Sequence, residues 1–370
     1  MAGFTVTPWE VSGKVDYDRL VKEFGTEKIS PAIASRITKA AGRDHFMLRR
    51  GIFFSHRELG QIFKRLDRGE QFYLYTGRGP SGHTHIGHLV PYIFTKYLQD
   101  AFDVKLYFQL TNDEKFLLKR ELPMDEINRY TIDNALDFIA VGFKPGKTKI
   151  IRNLQDVKHI YEIAVDVAKR VTFSTVKAVF GFKNETNIGM IFFPALQAAP
   201  SFLESKLQGK KVSCLIPCAI DQDPYWRITR DVAEKLGYYK PGAIHGRFLP
   251  GLKEGGKMSA SDPDSAIFTT DNEKTVKGKV ARAFTGGQPT VEEQKEKGGR
   301  PEVCNVYQYY YFLFEEDDAK LNQRLTSCRK GKIMCGECKK DLAGRINKFL
   351  TEHRKRKETA RKELEKYWIK

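Results

Sequence analysis

Along the first fifty residues the apolar positions fall in short groups separated by turns. The clearest group, Tyr17–Phe24, has the 3.6-residue period of an amphipathic helix, and Asp16 stands where it can cap it. From Gln71 the pattern changes. "FYLY" (Phe72–Tyr75) is an unbroken apolar run of strand length, followed by a glycine-rich turn and a helical stretch from Ile86 to about Asp100. "KLYFQL" (Lys105–Leu110), "KTKIIR" (Lys147–Arg152) and "VSCLIPCAI" (Val212–Ile220) read as further strands, each close to a helical segment. Strands that alternate with helices predict an α/β fold with a doubly wound parallel sheet, whose ligands sit at the carboxyl ends of the strands.

After about Asp264 the strand signals stop, and the remainder reads as helices rich in Lys and Glu. In the last of them Ile346, Phe349, Leu350, Leu364, Tyr367 and Trp368 fit one apolar stripe. The basic stretch between them, "HRKRKETARK" (His353–Lys362), reads as a solvated helix face. Three parts are expected: an N-terminal appendage (1–60) without evident chemistry, a Rossmann-like catalytic domain (61–265), and an all-helical C-terminal domain (266–370).

Composition adds a partner class. Hydrophobic residues make up 41% of the 370, enough for a well-buried interior. Sixty-three Lys and Arg against 46 Asp and Glu leave +17, which favours a polyanion such as nucleic acid. No run approaches the ~18 apolar residues of a membrane span. Met1–Pro8 shows no basic leader followed by an apolar stretch, so a soluble, cytoplasmic protein without membrane contact is expected.

The chemistry-bearing residues lie in separated segments. "TGRGPSGHTHIGH" (Thr76–His88) follows the first strand. Gly77, Gly79 and Gly82 satisfy the dinucleotide pattern G-x-G-x-x-G, which raises a dehydrogenase as one reading, although Pro80 interrupts it. The same segment ends in His85-Ile86-Gly87-His88 at the start of a helix, where backbone N–H groups favour an anion. Two imidazoles three residues apart can donate there to phosphate oxygens as negative charge builds. "KMSAS" (Lys257–Ser261) follows Gly255 and Gly256, and a mobile lysine flanked by hydroxyls suits a polyphosphate leaving group.

HIGH near the start of a nucleotide fold with a KMSKS-like segment near its end resembles the class I aminoacyl-tRNA synthetases, Ala260 replacing the more usual lysine. The smaller HIGH nucleotidyltransferases lack a helical C-terminal domain of this kind. "YLYTGRGPSG", "QLTNDEK", "FPALQAAPS", "AIDQDPYWRITRD" (Ala219–Asp231) and "RRGIFFSHREL" (Arg49–Leu59) are similar to the tryptophanyl-tRNA synthetases of the eukaryotic and archaeal branch. That resemblance runs through nearly the whole chain. It implies that Tyr75 and Gln109 meet the indole N–H, and that Glu114, Gln197 and Gln222 hold the ammonium and carboxylate region. It places Arg78, Gly79, His85, Gly87, His88, Lys115, Ala219, Lys257, Met258 and Ser259 around ATP, with His85, His88 and Lys257 as the catalytic groups. Tyrosyl-tRNA synthetases share the fold but usually read the phenol with an aspartate and often carry L-A-D-x-H where this chain has "LTNDEK".

The implied reaction joins tryptophan to ATP as an adenylate, with Mg²⁺ on the pyrophosphate oxygens, then passes tryptophan to the terminal adenosine of its tRNA. A catalytically dead RNA-binding relative is the other class to exclude. The resemblance also implies a homodimer and anticodon reading by the helical domain. Six cysteines remain. Cys214 and Cys218 fall in a strand and read as inert core thiols, whereas Cys304, Cys328, Cys335 and Cys338 could form a structural zinc site or a disulfide.

Overall fold

The computed structural model describes residues 5–6, 11–12, 15–119, 121–259 and 262–370; most of the leader segment Met1–Pro8, and Ala260 and Ser261 of the KMSAS segment, lie outside them. Among the described residues nine strands follow in chain order: β1 (Thr5–Val6), β2 (Val11–Ser12), β3 (Glu27–Lys28), β4 (Phe53–Arg57), β5 (Phe72–Arg78), β6 (Leu106–Leu110), β7 (Thr148–Arg152), β8 (Ser213–Ala219) and β9 (Gly242–Gly246). The first two form a small hairpin, and the other seven form one sheet in the order β3-β4-β9-β8-β5-β6-β7. From β9 to β7 the pairing is parallel, as the alternation of strands and helices requires.

Successive side chains on the central strands point to opposite faces, and both faces are covered. Phe72, Leu74, Phe108 and Ile150 enter one core, whereas Tyr73, Tyr75, Tyr107 and Ile151 enter another. A sheet buried on both sides explains why its strands read as continuous apolar runs instead of alternating ones.

The first sixty residues are more than an appendage. The helix Tyr17–Phe24 forms as expected, with the Asp16 side chain accepting from Arg19 N at 3.0 Å. Yet β3 and β4 pair antiparallel and extend the main sheet through β9. Arg57 at the end of β4 makes a bidentate pair with buried Asp223, Nε to Oδ1 at 2.6 Å and Nη2 to Oδ2 at 2.8 Å. This anchors the N-terminal segment beside the crevice.

After residue 264 the described residues form helices and no further named strand. The longest, Cys335–Glu363, buries Leu342, Ala343, Ile346, Leu350, His353, Lys357 and Ala360 at helical spacing. In His353–Lys362 the expected solvated face is present at Lys355, Arg356, Glu358, Thr359, Arg361 and Lys362, whereas His353, Lys357 and Ala360 depart from it and are buried. His353 Nε2 lies 2.9 Å from Asp137 Oδ1, and Lys357 Nζ donates to Asp137 Oδ2 at 2.9 Å and Asp133 Oδ1 at 2.6 Å. Two acidic residues on the helix Met124–Ile139 make burial of Lys357 and of the His353 ring tolerable, and no local sequence pattern reveals partners so far away. The chain end then returns to the sheet: Ile150 N donates to Tyr367 O at 2.7 Å, and Ile369 N donates to Ile150 O at 3.1 Å. Among the described residues, no helix is long and apolar enough to cross a membrane.

Candidate active site

Between β8 and β5 the order of the sheet reverses, and such switch points open a crevice at the carboxyl ends of the strands. The crevice here has a volume of about 530 Å³. Tyr75, Arg78, Gly79, His85, Gly87, His88, Gln109, Glu114, Lys115, Gln197, Ala219, Gln222, Lys257, Met258 and Ser259 all line it. Residues spread over nearly two hundred positions of sequence thus meet around one space.

The floor is set by the turn after β5. Arg78 Nη1 donates to Thr84 Oγ1 at 2.7 Å and Nη2 donates to His83 O at 3.0 Å, which pins the loop. His85 occupies the N-cap of the helix Ile86–Phe102, and its backbone N–H donates to His88 Nδ1 at 3.2 Å. The two rings stack with centroids 3.5 Å apart. Burial, with the neighbouring Arg78 charge second, holds both imidazoles well below the usual histidine range. They are neutral at pH 7, and an accepting Nδ1 on His88 leaves its proton on Nε2. A Cβ added at Gly87 would stand 3.1 Å from His85 Nδ1 and 3.3 Å from Met258 Sδ, so any larger residue there would press on the stacked pair and on the lysine loop.

The glycines of the dinucleotide pattern have other reasons to exist. A Cβ at Gly77 would meet Gln109 O at 2.7 Å, and one at Gly79 would meet Lys115 Cε at 2.0 Å. They let β6 and the helix after it approach β5, which removes the need for the dehydrogenase reading.

The lysine loop closes the opposite side. Gly251 N donates to Gly256 O at 3.0 Å, and Gly255 and Gly256 take φ of 68° and 99°, a region in which other residues are strained. This turn aims Lys257 inward, where Nζ donates to Asp221 Oδ2 at 3.1 Å. Burial raises the Asp221 carboxyl, with the Lys257 charge the main opposing influence. Ser259 N donates to Ser265 Oγ at 3.2 Å, fixing the outgoing strand of the loop.

The apolar end of the crevice contains an oriented amide. The Tyr75 hydroxyl reaches Gln109 Oε1 and, at 2.8 Å, Gln197 O. Gln109 Nε2 donates to Asn153 Oδ1 at 2.8 Å and Leu196 O at 3.1 Å, so both of its N–H groups are engaged. The carboxamide therefore cannot flip without losing two bonds, and it presents an acceptor. Asn153 is held in turn, its Nδ2 donating to Asp113 Oδ1 at 2.8 Å, and burial pushes the Asp113 carboxyl up to about 6. The Trp226 ring meets Tyr75 edge-on at 5.5 Å. Glu114 accepts from Thr111 Oγ1 at 3.0 Å and from Lys115 Nζ at 2.7 Å.

The sequence pattern does not single out Asp221, Asn153 or Trp226. Asp221 and Trp226 stand inside "AIDQDPYWRITRD", and Asn153 follows the strand "KTKIIR" directly, a position from which side chains face a strand-end ligand.

The cysteines divide as expected, though not in detail. Cys214 and Cys218 are buried on β8, and burial raises both thiols. Cys304, Cys328, Cys335 and Cys338 line a second cavity, which shares no residue with the crevice. All six are free thiols, so of the alternatives raised for the last four the disulfide is not formed. Nor do any three His, Cys, Asp or Glu side chains among the described residues converge on one ion position. The thiols come from separate segments and stand around a void, which does not assemble a single-zinc site.

Known proteins are similar to this chain in sequence and in overall fold. The family model described as tRNA synthetases class I (W and Y) matches residues 67–351. The tryptophan–tRNA ligase of Pyrococcus horikoshii is 51% identical over 367 residues, covering 98% of this chain and 93% of that protein. The tryptophan–tRNA ligase of Pyrobaculum calidifontis is 50% identical over 364 residues, 98% of this chain and 97% of that one. The crystal structure of Plasmodium falciparum tryptophanyl-tRNA synthetase superposes with a TM-score of 0.88 at 38% identity, covering 96% of this chain and 95% of that one.

Proposed function

The chain belongs to the class I tRNA synthetases for tryptophan and tyrosine, and on that premise we propose how its crevice carries out tryptophan–tRNA ligation with ATP. The supporting observation is that an oriented acceptor, a stacked neutral histidine pair and a glycine-hinged lysine face the same crevice.

Gln109 Oε1 accepts the indole N–H at the apolar end, beside Tyr75 and Trp226. A side chain without a donor at that point leaves a buried acceptor unpaired, which is how the pocket discriminates. Glu114, Gln197 and Gln222 hold the ammonium and carboxylate region. Arg78, Gly79, Gly87, Lys115, Ala219, Met258 and Ser259 line the ATP.

In the first step the tryptophan carboxylate attacks the α-phosphorus and pyrophosphate leaves. The substrate supplies the nucleophile, so the protein contributes position and charge. His85 and His88, neutral and stacked, each have one N–H to donate to phosphate oxygens. Lys257 leaves Asp221 for the phosphates when ATP arrives and returns as product departs. In the second step the 2′-hydroxyl of the terminal tRNA adenosine attacks the mixed anhydride. Mg²⁺ would be held mainly by the phosphate oxygens of ATP and would neutralise charge on the leaving pyrophosphate.

In this reading residues 266–370 meet the anticodon, residues 61–265 bind the small substrates, and residues 1–60 extend and brace the sheet. The protein acts in the cytoplasm as a homodimer. Phe116, Leu118, Leu154, Tyr161, Val165 and Ile188 are exposed on helices that pack against one another, and a patch of that kind suits a second copy.

The experiment is ATP–pyrophosphate exchange with each of the twenty amino acids in turn. Exchange with tryptophan alone is expected. Exchange with tyrosine would overturn the pocket assignment, and no exchange in folded protein would favour the non-catalytic relative.

A further inference from the structure

We infer that the guanidinium of Arg247 receives the β- and γ-phosphates of ATP, as a second cation beside Lys257 for the leaving pyrophosphate. The inference rests on the ATP reading of the crevice and adds a phosphate contact from outside the histidine pair and the lysine loop.

Arg247 is placed by the sheet itself. β9 ends at Gly246, and the next backbone N–H, that of Arg247, donates to Ile52 O at 2.8 Å. The side chain therefore starts from the carboxyl end of a parallel strand, where ligands of such sheets bind. Arg247 and Phe248 both line the crevice, and the Phe248 ring centre lies 5.6 Å from Lys257 Nζ. The arginine and the glycine-hinged lysine thus share one wall.

The surroundings hold the guanidinium without satisfying it. Arg247 Cζ stands 5.0 Å from the ring centre of Tyr17 and 5.6 Å from that of Phe54. Those two rings meet edge-on at 5.0 Å, and the Tyr17 hydroxyl accepts from Phe248 N at 3.0 Å. Burial pushes that hydroxyl up to about 12, so Tyr17 stays neutral and offers no counter-charge. Contacts with ring faces hold a cation in place but use none of its N–H groups as hydrogen-bond donors. Arg247 Nε is buried and has no hydrogen-bond acceptor among the described residues. No carboxylate among those residues lies within ion-pair distance of the guanidinium either.

Neighbouring cations are already matched. Lys257 pairs with Asp221, Lys115 with Glu114, and Lys253 with both oxygens of Asp262 at 2.8 Å. A buried N–H without an acceptor is costly, and one that faces a binding crevice is satisfied by the ligand. The donor then selects the ligand's chemistry. A guanidinium presents a planar fork of N–H groups that fits two phosphate oxygens, and it stays charged throughout. In adenylation the pyrophosphate gains charge as its bond to the α-phosphorus breaks, so a fixed cation beside the lysine loop acts where that charge develops.

The test is pyrophosphorolysis of enzyme-bound tryptophanyl adenylate, with pyrophosphate as the varied substrate, beside forward adenylation. Arg247→Met keeps an unbranched side chain against Tyr17 and Phe54 and removes the charge. It should raise the KM for pyrophosphate and for ATP by about 10–100-fold while the KM for tryptophan stays within about twofold. Arg247→Lys keeps the charge and loses the fork, so its values should fall between those of Arg247→Met and the unaltered protein. Equal rises in all three KM values, or a lysine variant no better than the methionine one, would reduce Arg247 to a structural brace and overturn the inference. Unchanged KM values for pyrophosphate and ATP with slower transfer to tRNA would assign the guanidinium to a tRNA phosphate and overturn it as well. Because the methionine variant can fail to fold, calorimetric binding of pyrophosphate to the unaltered protein and to Arg247→Lys gives a second reading. Weaker binding in Arg247→Lys supports the contact, and equal binding overturns it. Failure of the ATP reading is distinct, since it removes exchange from the unaltered protein too, whereas failure of this inference alone leaves that exchange intact.

Discussion

Lys257 Nζ stands 3.1 Å from Asp221 Oδ2, so the lysine of the glycine-hinged loop is paired with a buried carboxylate that belongs to the crevice wall. The pair holds the loop inward while leaving the ammonium able to exchange Asp221 for phosphate, because a half-exposed lysine has a low barrier to moving. Lys257→Ala should slow tryptophanyl-adenylate formation by roughly 10²–10³-fold, the usual loss when one charge-stabilising donor is removed. Affinity for tRNA should remain within about twofold. Single-turnover kinetics and filter binding separate the two, and a loss confined to tRNA binding would contradict the assignment.

Gln109 is oriented by bonds that a sequence cannot show. Gln109→Leu should raise the KM for tryptophan by about 10–100-fold, the value of one buried hydrogen bond and its orphaned partner, with the KM for ATP little changed. Asn153→Ala, which frees the carboxamide to rotate, should move tryptophan KM in the same direction by less. An unchanged tryptophan KM in Gln109→Leu would remove the proposed role.

The stacked histidines make stability depend on pH. His85 and His88 are held well below the ordinary value of 6.5 by burial, so below about pH 6.5 the unfolded chain takes up protons that the folded chain refuses. Their contribution is therefore full above that pH and declines as pH falls. Asp113, pushed up to about 6, acts with the opposite sign, since protonating it favours the folded form. Urea midpoints at pH 7.5 and 5.5 should show a smaller decline in a His85→Asn/His88→Asn variant than in the unaltered protein.

Asp137 accepts from Lys357 and Thr269 and faces His353, joining the catalytic half to the long C-terminal helix. Asp137→Ala leaves Lys357 paired with Asp133 but removes the acceptor shared by Lys357, Thr269 and His353, and should cost about 1–3 kcal/mol of stability, read as a denaturant midpoint shift. A conservative Asp137→Asn should recover part of it.

If the exposed patch around Ile188 is a dimer face, Ile188→Asp should raise the monomer fraction strongly. Sedimentation velocity at micromolar concentration measures this, and an unchanged dimer would shift the interface elsewhere.

The apolar runs of the parallel strands, the Asp16 cap, the histidine pair and the lysine loop are all legible in the sequence. They depend on residues adjacent along the chain, where local geometry follows from the residues themselves. The burial of His353 and Lys357 is not legible there, because their partners Asp133 and Asp137 lie more than two hundred residues away. The same holds for the entry of Phe53–Arg57 into the main sheet, since an edge strand's partner is not written in its own side chains. Sequence alone determined which groups could do chemistry and marked β5, β6, β7 and β8 as strands, whereas β3, β4 and β9 emerged only in the fold. Only the tertiary structure decided that Asn153 locks Gln109, that Asp221 holds Lys257, and that four cysteines surround one void. Each of those is a distance between residues far apart along the chain, set by how the sheet and helices pack and not by any local pattern.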